Sequence, residues 1–151
     1  MQFVLQRVSK AQVIIDNIIY SSINAGLLLF IGVDKKDDDS NLDYYINKII
    51  NMRIFNDQNS KMNYSLLDIK GEILVVSQFT LLANTKKGNR PSYINAAKPD
   101  IAKKLYYKFI DKLKAYEIIV KKGRFGAHMK IDFINEGPVT ILLDGNDDKK
   151  N

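Results

Sequence analysis

The chain has 151 residues, 26% of them charged, a formal charge of +6 and no cysteine. That length fits one domain able to bury its core unaided, and the lack of cysteine excludes disulfides, thiolate nucleophiles and cysteine-based zinc sites together. Met1 to Ser9 has no signal-peptide pattern, and the longest apolar run, Gly26 to Val33, is far too short for a membrane helix; the expected compartment is therefore the cytosol, and the lysine excess fits either a polyanionic partner or a merely solvated surface.

Phe3 to Ile15 and Ile18 to Val33 read as two extended runs, joined by a tight turn at Asp16-Asn17. Leu42, Tyr45, Ile46, Ile49 and Ile50 have the spacing of one apolar helix stripe. Ser40 with Asp43 resembles a capping box for that helix, and Asp37, Asp38 and Asp39 suit the positive end of its dipole. Polar Asn56 to Asn63 reads as a loop. Glu72 to Val76 is a run expected of a strand buried on both faces, and it ends in Ser77-Gln78-Phe79-Thr80-Leu81. The segment Ala83 to Pro91 is polar, basic and turn-rich. Pro99 predicts the start of a second helix with Ile101, Leu105, Phe109, Leu113 and Tyr116 facing inward and Lys104, Lys108 and Lys112 along another side. Glu117 to Val120 and Lys130 to Leu143 supply further strands. The class expected is α+β: a single domain over residues 1–144, with an antiparallel-rich, barrel-like sheet and two main helices. Residues 145–151 read as a frayed tail.

One motif is costly on its face. Gly137-Pro138 sits between two apolar β-like runs, Met129 to Ile134 and Val139 to Leu143. Proline donates no backbone hydrogen bond and glycine has no side chain to pack, so the pattern predicts that the backbone itself is presented to something there. Ser77 and Gln78 end a buried strand, where they either close the strand by hydrogen bonds or face a cleft. Thr80 carries a hydroxyl, but no base stands near it in sequence, which makes it a poor nucleophile. His128 is the lone histidine, with no Gly-x-Ser-x-Gly elbow to accompany it. No metal-ligand spacing, Walker loop or dinucleotide fingerprint occurs, so neither a metal nor a cofactor is expected.

Ser77-Gln78-Phe79-Thr80-Leu81, followed by Asn135-Glu136-Gly137-Pro138-Val139-Thr140, resembles the D-aminoacyl-tRNA deacylase family. The likeness takes in Gln6-Arg7-Val8, Gly26 to Val33, Met52-Arg53-Ile54-Phe55, Lys61-Met62-Asn63, Arg90-Pro91-Ser92 and Gly123-Arg124-Phe125 with Met129. His128 stands where an acidic residue is more usual, Glu136 where aspartate is, and the tail after Asp144 falls outside the likeness.

The resemblance implies a homodimeric hydrolase that cleaves the ester joining a D-amino acid, or mischarged glycine, to the 3′ end of tRNA and spares L-aminoacyl-tRNA. It implies a cis Gly137-Pro138 peptide that enters the partner subunit's cleft, its carbonyl oxygens excluding an L side chain. Val139 and Thr140 belong to the same motif. Arg7 is then the support of this loop, or else a plain surface arginine. Ser77, Gln78, Phe79 and Thr80 form the catalytic group, orienting the ester and offering amides to an oxyanion, with the tRNA 2′-hydroxyl assisting; a covalent Thr80 is the rival. Phe125 and Met129 line the site or belong to the core. Lys104, Lys108, Lys112, Lys121, Lys122 and Arg124 are candidate contacts to the tRNA backbone. The alternatives are a nucleic-acid-binding dimer without turnover and, less favoured for want of a nucleophile–base pair, a small-molecule esterase.

Overall fold

The computed structural model describes residues 1–145. Strand β1 (Gln2–Ile15) is the spine of the fold. Asp16 and Asn17, with φ of 52° and 62°, turn it into β2 (Ile18–Ile23), the tight hairpin that the sequence predicts. The second extended run is not continuous: it breaks at Asn24-Ala25, and β3 (Gly26–Gly32) starts afresh, antiparallel to the first half of β1. The break lets β1 pair with β2 over its last five residues and with β3 over its first seven positions, from Gln2 to Val8.

Helix α1 (Leu42–Asn51) buries the predicted stripe of Leu42, Tyr45, Ile46, Ile49 and Ile50. The capping box does not form: Asn41 is the N-cap, without a side-chain bond, and the acidic residues before it have other partners. Ser40 donates its hydroxyl to Asp38, Asp37 receives the Met1 amino group at 2.7 Å, and Asp39 pairs with Lys108. The Asn56 to Asn63 stretch is a small hairpin between β4 (Phe55–Asn56) and β5 (Met62–Tyr64).

Strand β6 (Glu72–Ser77) lies parallel to β3 and, on its other side, to β7 (Ile119–Lys122). Its residues 73 to 76 are all buried, as expected of a strand covered on both faces. Strand β8 (Lys130–Asp144) returns antiparallel along the whole of β1. The sheet is therefore mixed and curls toward closure, with the Ser21 hydroxyl of β2 donating to the Lys122 carbonyl of β7 at 2.8 Å.

Helix α2 (Pro99–Leu113) begins at its proline and buries Leu105, Tyr106, Phe109, Ile110 and Leu113. Ile101, expected inside, is 49% exposed, and Tyr116 lies past the helix end. Two apolar clusters result. Phe3, Leu5, Leu27, Leu29, Ile73 and Val75 meet both helices, while Val8, Ala11, Val13, Ile15, Leu28, Leu74 and Val76 fill the opposite, strand-enclosed side. Alternation along β3 and β6 sends neighbouring residues to different clusters, and β1 supplies both. Gly145 is no frayed end: it donates its N–H to the Met1 carbonyl at 2.8 Å and accepts from Tyr45 at 3.0 Å. The rest of the expected tail, 146–151, lies outside the described residues. No described helix is long and apolar enough to cross a membrane.

Candidate active site

Strands β3 and β6 run parallel and end side by side, at Ile31–Gly32 and Val76–Ser77, beside the first turn of α2. A cavity of about 510 Å³ opens there. Ser77, Gln78 and Phe79 form one edge; Phe125, His128 and Met129 form another; Ala96, Ala97, Pro99 and Tyr106 complete it. Its walls are mostly apolar, and neither an acidic nor a lysine or arginine side chain lines it.

The Ser77–Thr80 edge is held from beneath. Gln78 donates its N–H to the Ile31 carbonyl at 2.7 Å, which fixes the chain as it leaves β6. Phe79 to Leu82 then form one turn of 3-10 helix. The opening N–H groups of such a turn have no acceptor within it, so the Phe79 and Thr80 amides are the main-chain donors of this edge. The turn lies close on β3 because Gly32 lacks a side chain; a Cβ there would fall 2.4 Å from Leu82. The Gln78 side chain donates to the Thr80 hydroxyl, and the Phe79 ring, 57% exposed, meets Tyr93 edge-on at 5.0 Å. Tyr106 sits at the back of the cavity with its hydroxyl given to the Val75 carbonyl at 2.8 Å. Burial drives its ionisation well above the ordinary tyrosine range, so it supplies no base.

The Gly137-Pro138 peptide is cis and lies elsewhere, within β8. Gln6 pairs with Thr140 and Val8 with Asn135, so two steps along β1 oppose five along β8 and three extra residues bulge outward. That geometry answers the cost noted in the sequence, since the bulged residues stand outside the ladder. Arg7 lies beneath, only 8% exposed. Its Nε donates to the Glu136 carbonyl at 3.0 Å, and its Nη1 donates to the Ile54 carbonyl at 2.7 Å and to the Asn56 amide oxygen at 3.1 Å. The Asn135 amide group lies against the Arg7 and Val139 carbonyls at 3.0 and 3.2 Å, drawing the base of the bulge together. Thr140 continues this polar seam through its hydroxyl to Gln6. Gly137 has φ of +123°, and a Cβ on it would lie 2.6 Å from Arg7 Nη2.

The structure therefore gathers Ser77, Gln78, Phe79, Phe125 and Met129 around one cavity. Gly137, Pro138, Val139 and Thr140, with Arg7 buried beneath them, form a separate feature that does not line it, and Thr80 touches the cavity only through Gln78. Lys108 and Lys112 reach across to Asp39 and Asp43 of the α1 region, while Lys104 is exposed. Lys122 lies over the Tyr107 ring at 4.6 Å, and Arg124 stands 4.0 Å from Asp16. Ala96 and Ala97 line the cavity without having been singled out in the sequence, and Pro99, singled out only as a helix start, joins them. Small side chains just before a helix carry no chemical signature, and it is pairing with the chain after β3, through Ala97 N–H to the Val33 carbonyl at 2.9 Å and Lys35 N–H to the Asn95 carbonyl at 2.8 Å, that brings them there.

Residues 4–144 match the family described as D-Tyr-tRNA(Tyr) deacylase. A D-aminoacyl-tRNA deacylase of Fusobacterium nucleatum subsp. nucleatum is 50% identical over 147 residues, 97% of this chain and 97% of that protein. One of Thermosipho africanus is 52% identical over 144 residues, 95% and 97% of the two chains. Among solved structures, the c-Myc DNA Unwinding Element Binding Protein has a TM-score of 0.90 at 37% identity, covering 96% of this chain and 99% of its own. A probable eukaryotic D-amino acid tRNA deacylase has a TM-score of 0.81 at 19% identity, over 94% and 97%, a likeness of fold alone.

Proposed function

The chain belongs to the D-Tyr-tRNA(Tyr) deacylase family, and from that premise we propose that it hydrolyses the ester between a D-amino acid and the 3′ end of tRNA, releasing both. Mischarged glycine is the second substrate, and L-aminoacyl-tRNA is spared. The observation that carries this reading is the match of residues 4–144 to that family, supported by the cavity edged by Ser77, Gln78 and Phe79.

His128 is the one imidazole on the cavity wall; in this reading the base comes from the substrate and not from it. The 2′-hydroxyl of the terminal adenosine adjoins the scissile bond and activates or positions water. Ser77 and Gln78 orient the ester, and the Phe79 and Thr80 amides receive the developing oxyanion, a contribution of roughly 3–4 kcal/mol for one well-placed donor. The rival, a covalent Thr80, is weakened by its surroundings: its hydroxyl is paired with the Gln78 amide group, which is no base. Phe125 and Met129 give the cavity its apolar floor.

Discrimination rests on a second copy of the chain. The Gly137-Pro138 bulge of one subunit enters the cavity of the other, where its main-chain carbonyls accept from the substrate's amino group and fill the volume an L side chain needs. Support comes from the position of the bulge, exposed, braced by Arg7 and outside its own subunit's cavity. Glycine has nothing to exclude and passes. The cytosol, where charged tRNA is used, is the compartment this role requires.

Matched D- and L-aminoacyl-tRNA, incubated with the protein, test the reading. Release of D-amino acid with L-ester left intact is expected. Binding of both without release of either favours the second reading, a nucleic-acid-binding dimer without turnover, for which the likeness to a DNA-element binding protein is the supporting observation.

A further inference from the structure

We propose that the loop Asn84–Ser92 is the phosphate clamp for the RNA strand whose 3′ end enters the cavity; this rests on the deacylase reading above. No Asp or Glu occurs between Glu72 and Asp100, while Lys86, Lys87, Arg90 and Lys98 all do. The stretch that frames the cavity mouth is thus purely cationic. On α2, by contrast, Asp39 and Asp43 pair with Lys108 and Lys112, leaving Lys103 and Lys104 exposed. The loop therefore carries cations with no carboxylate among them, whereas on α2 carboxylates face two of the lysines.

The loop is held in place. Asn84 and Ser92 exchange backbone hydrogen bonds at 2.8 and 3.0 Å, and the Asn84 side chain accepts from the Lys86 N–H at 3.0 Å. Tyr93, just after the loop, meets the Phe79 ring at the cavity edge, and Ala96 and Ala97 line that cavity. At the tip, a Cβ on Gly88 would meet nothing within 4 Å, so the tip stands clear of the protein. Lys86, Lys87 and Arg90 are exposed around it. A strand leaving the cavity past Phe79 and Tyr93 runs onto this loop, whose three cations take the phosphates of the nucleotides preceding the terminal adenosine. Phosphate contacts of this kind position a strand without reading its sequence.

The test uses the full-length protein and the variant K86A/K87A/R90A, whose substituted side chains are all exposed. Anisotropy of a labelled single-stranded RNA ending in CCA measures binding apart from turnover. The variant should bind at least about tenfold more weakly, with a salt slope smaller by about 2, as three single-strand phosphate contacts require. A control, K61A/K70A, should stay within twofold of the parent. In turnover, the variant should raise KM for D-aminoacyl-tRNA with kcat nearly unchanged, and should cleave 3′-D-aminoacyl-adenosine, which has no phosphate, like the parent. RNA binding unchanged by the triple substitution, or lowered equally per charge by the control, overturns the clamp. Loop-dependent binding by a protein that cleaves neither ester overturns the deacylase reading and leaves an RNA clamp standing.

Discussion

Gly137 is the residue with the least freedom to change. Its φ of +123° belongs to a region that side chains rarely adopt, and the space a methyl would take is held by Arg7 Nη2. Arg7 cannot easily yield, since its guanidinium is spent on the Glu136 and Ile54 carbonyls and on Asn56. Gly137→Ala should therefore cost about 1–3 kcal/mol in denaturant unfolding. It should also displace the bulge enough to lower D-ester hydrolysis roughly a hundredfold under single-turnover conditions. A variant that unfolds normally and keeps full activity would show that the bulge has no part in the reaction. The sequence discloses Gly137-Pro138 as an anomaly because two poor strand formers interrupt an apolar run. It does not disclose the bulge of three extra residues, because register depends on what the opposite strand, a hundred and more positions away, offers as partner.

Elements were legible where pattern alone decides them. The apolar stripe of α1, the proline at the start of α2 and the doubly buried β6 all stand as the spacing predicts. Polar partnerships were not legible, because charges pair across distances the chain order hides. The acidic residues before α1 serve the Met1 amino group, Ser40 and Lys108 rather than the helix cap. Short carboxylate-closed turns behave similarly. Ser65 gives both its N–H and its hydroxyl to Asp68 at 2.8 Å, and these bonds hold the Asp68 carboxyl below its ordinary range. The sign follows from proton counting. As pH falls below 3.8, the ordinary value, the unfolded chain takes up the proton first, so stability is present above that pH and is lost on acidification through the folded value. Asp68→Asn should flatten the acid limb of stability against pH, measured by urea unfolding between about pH 4.5 and 2.5, and leave the slope near neutrality unchanged.

For the molecule as a whole, one cavity and one braced bulge stand apart on the same chain, and the proposed chemistry needs both. Two copies related by a twofold axis would supply each cavity with the other's bulge. Mixing inactive Gly137→Ala subunits with inactive Gln78→Ala subunits and allowing exchange should then restore activity. Half the pairs become hybrids with one intact composite site, so about a quarter of the parent rate is expected; no recovery would place all the chemistry within a single subunit. The charge pattern is uneven too, with Lys108 and Lys112 of α2 paired to Asp39 and Asp43 and the cations of the 84–92 loop without a carboxylate in that segment. Finally, β1 contributes Phe3 and Leu5 to one apolar cluster and Val8, Ala11, Val13 and Ile15 to the other, with Arg7 at the crossover. Neither half can melt by itself without pulling out the strand that seats the other. Sub-global opening of either cluster should therefore raise hydrogen exchange along both halves of β1 together.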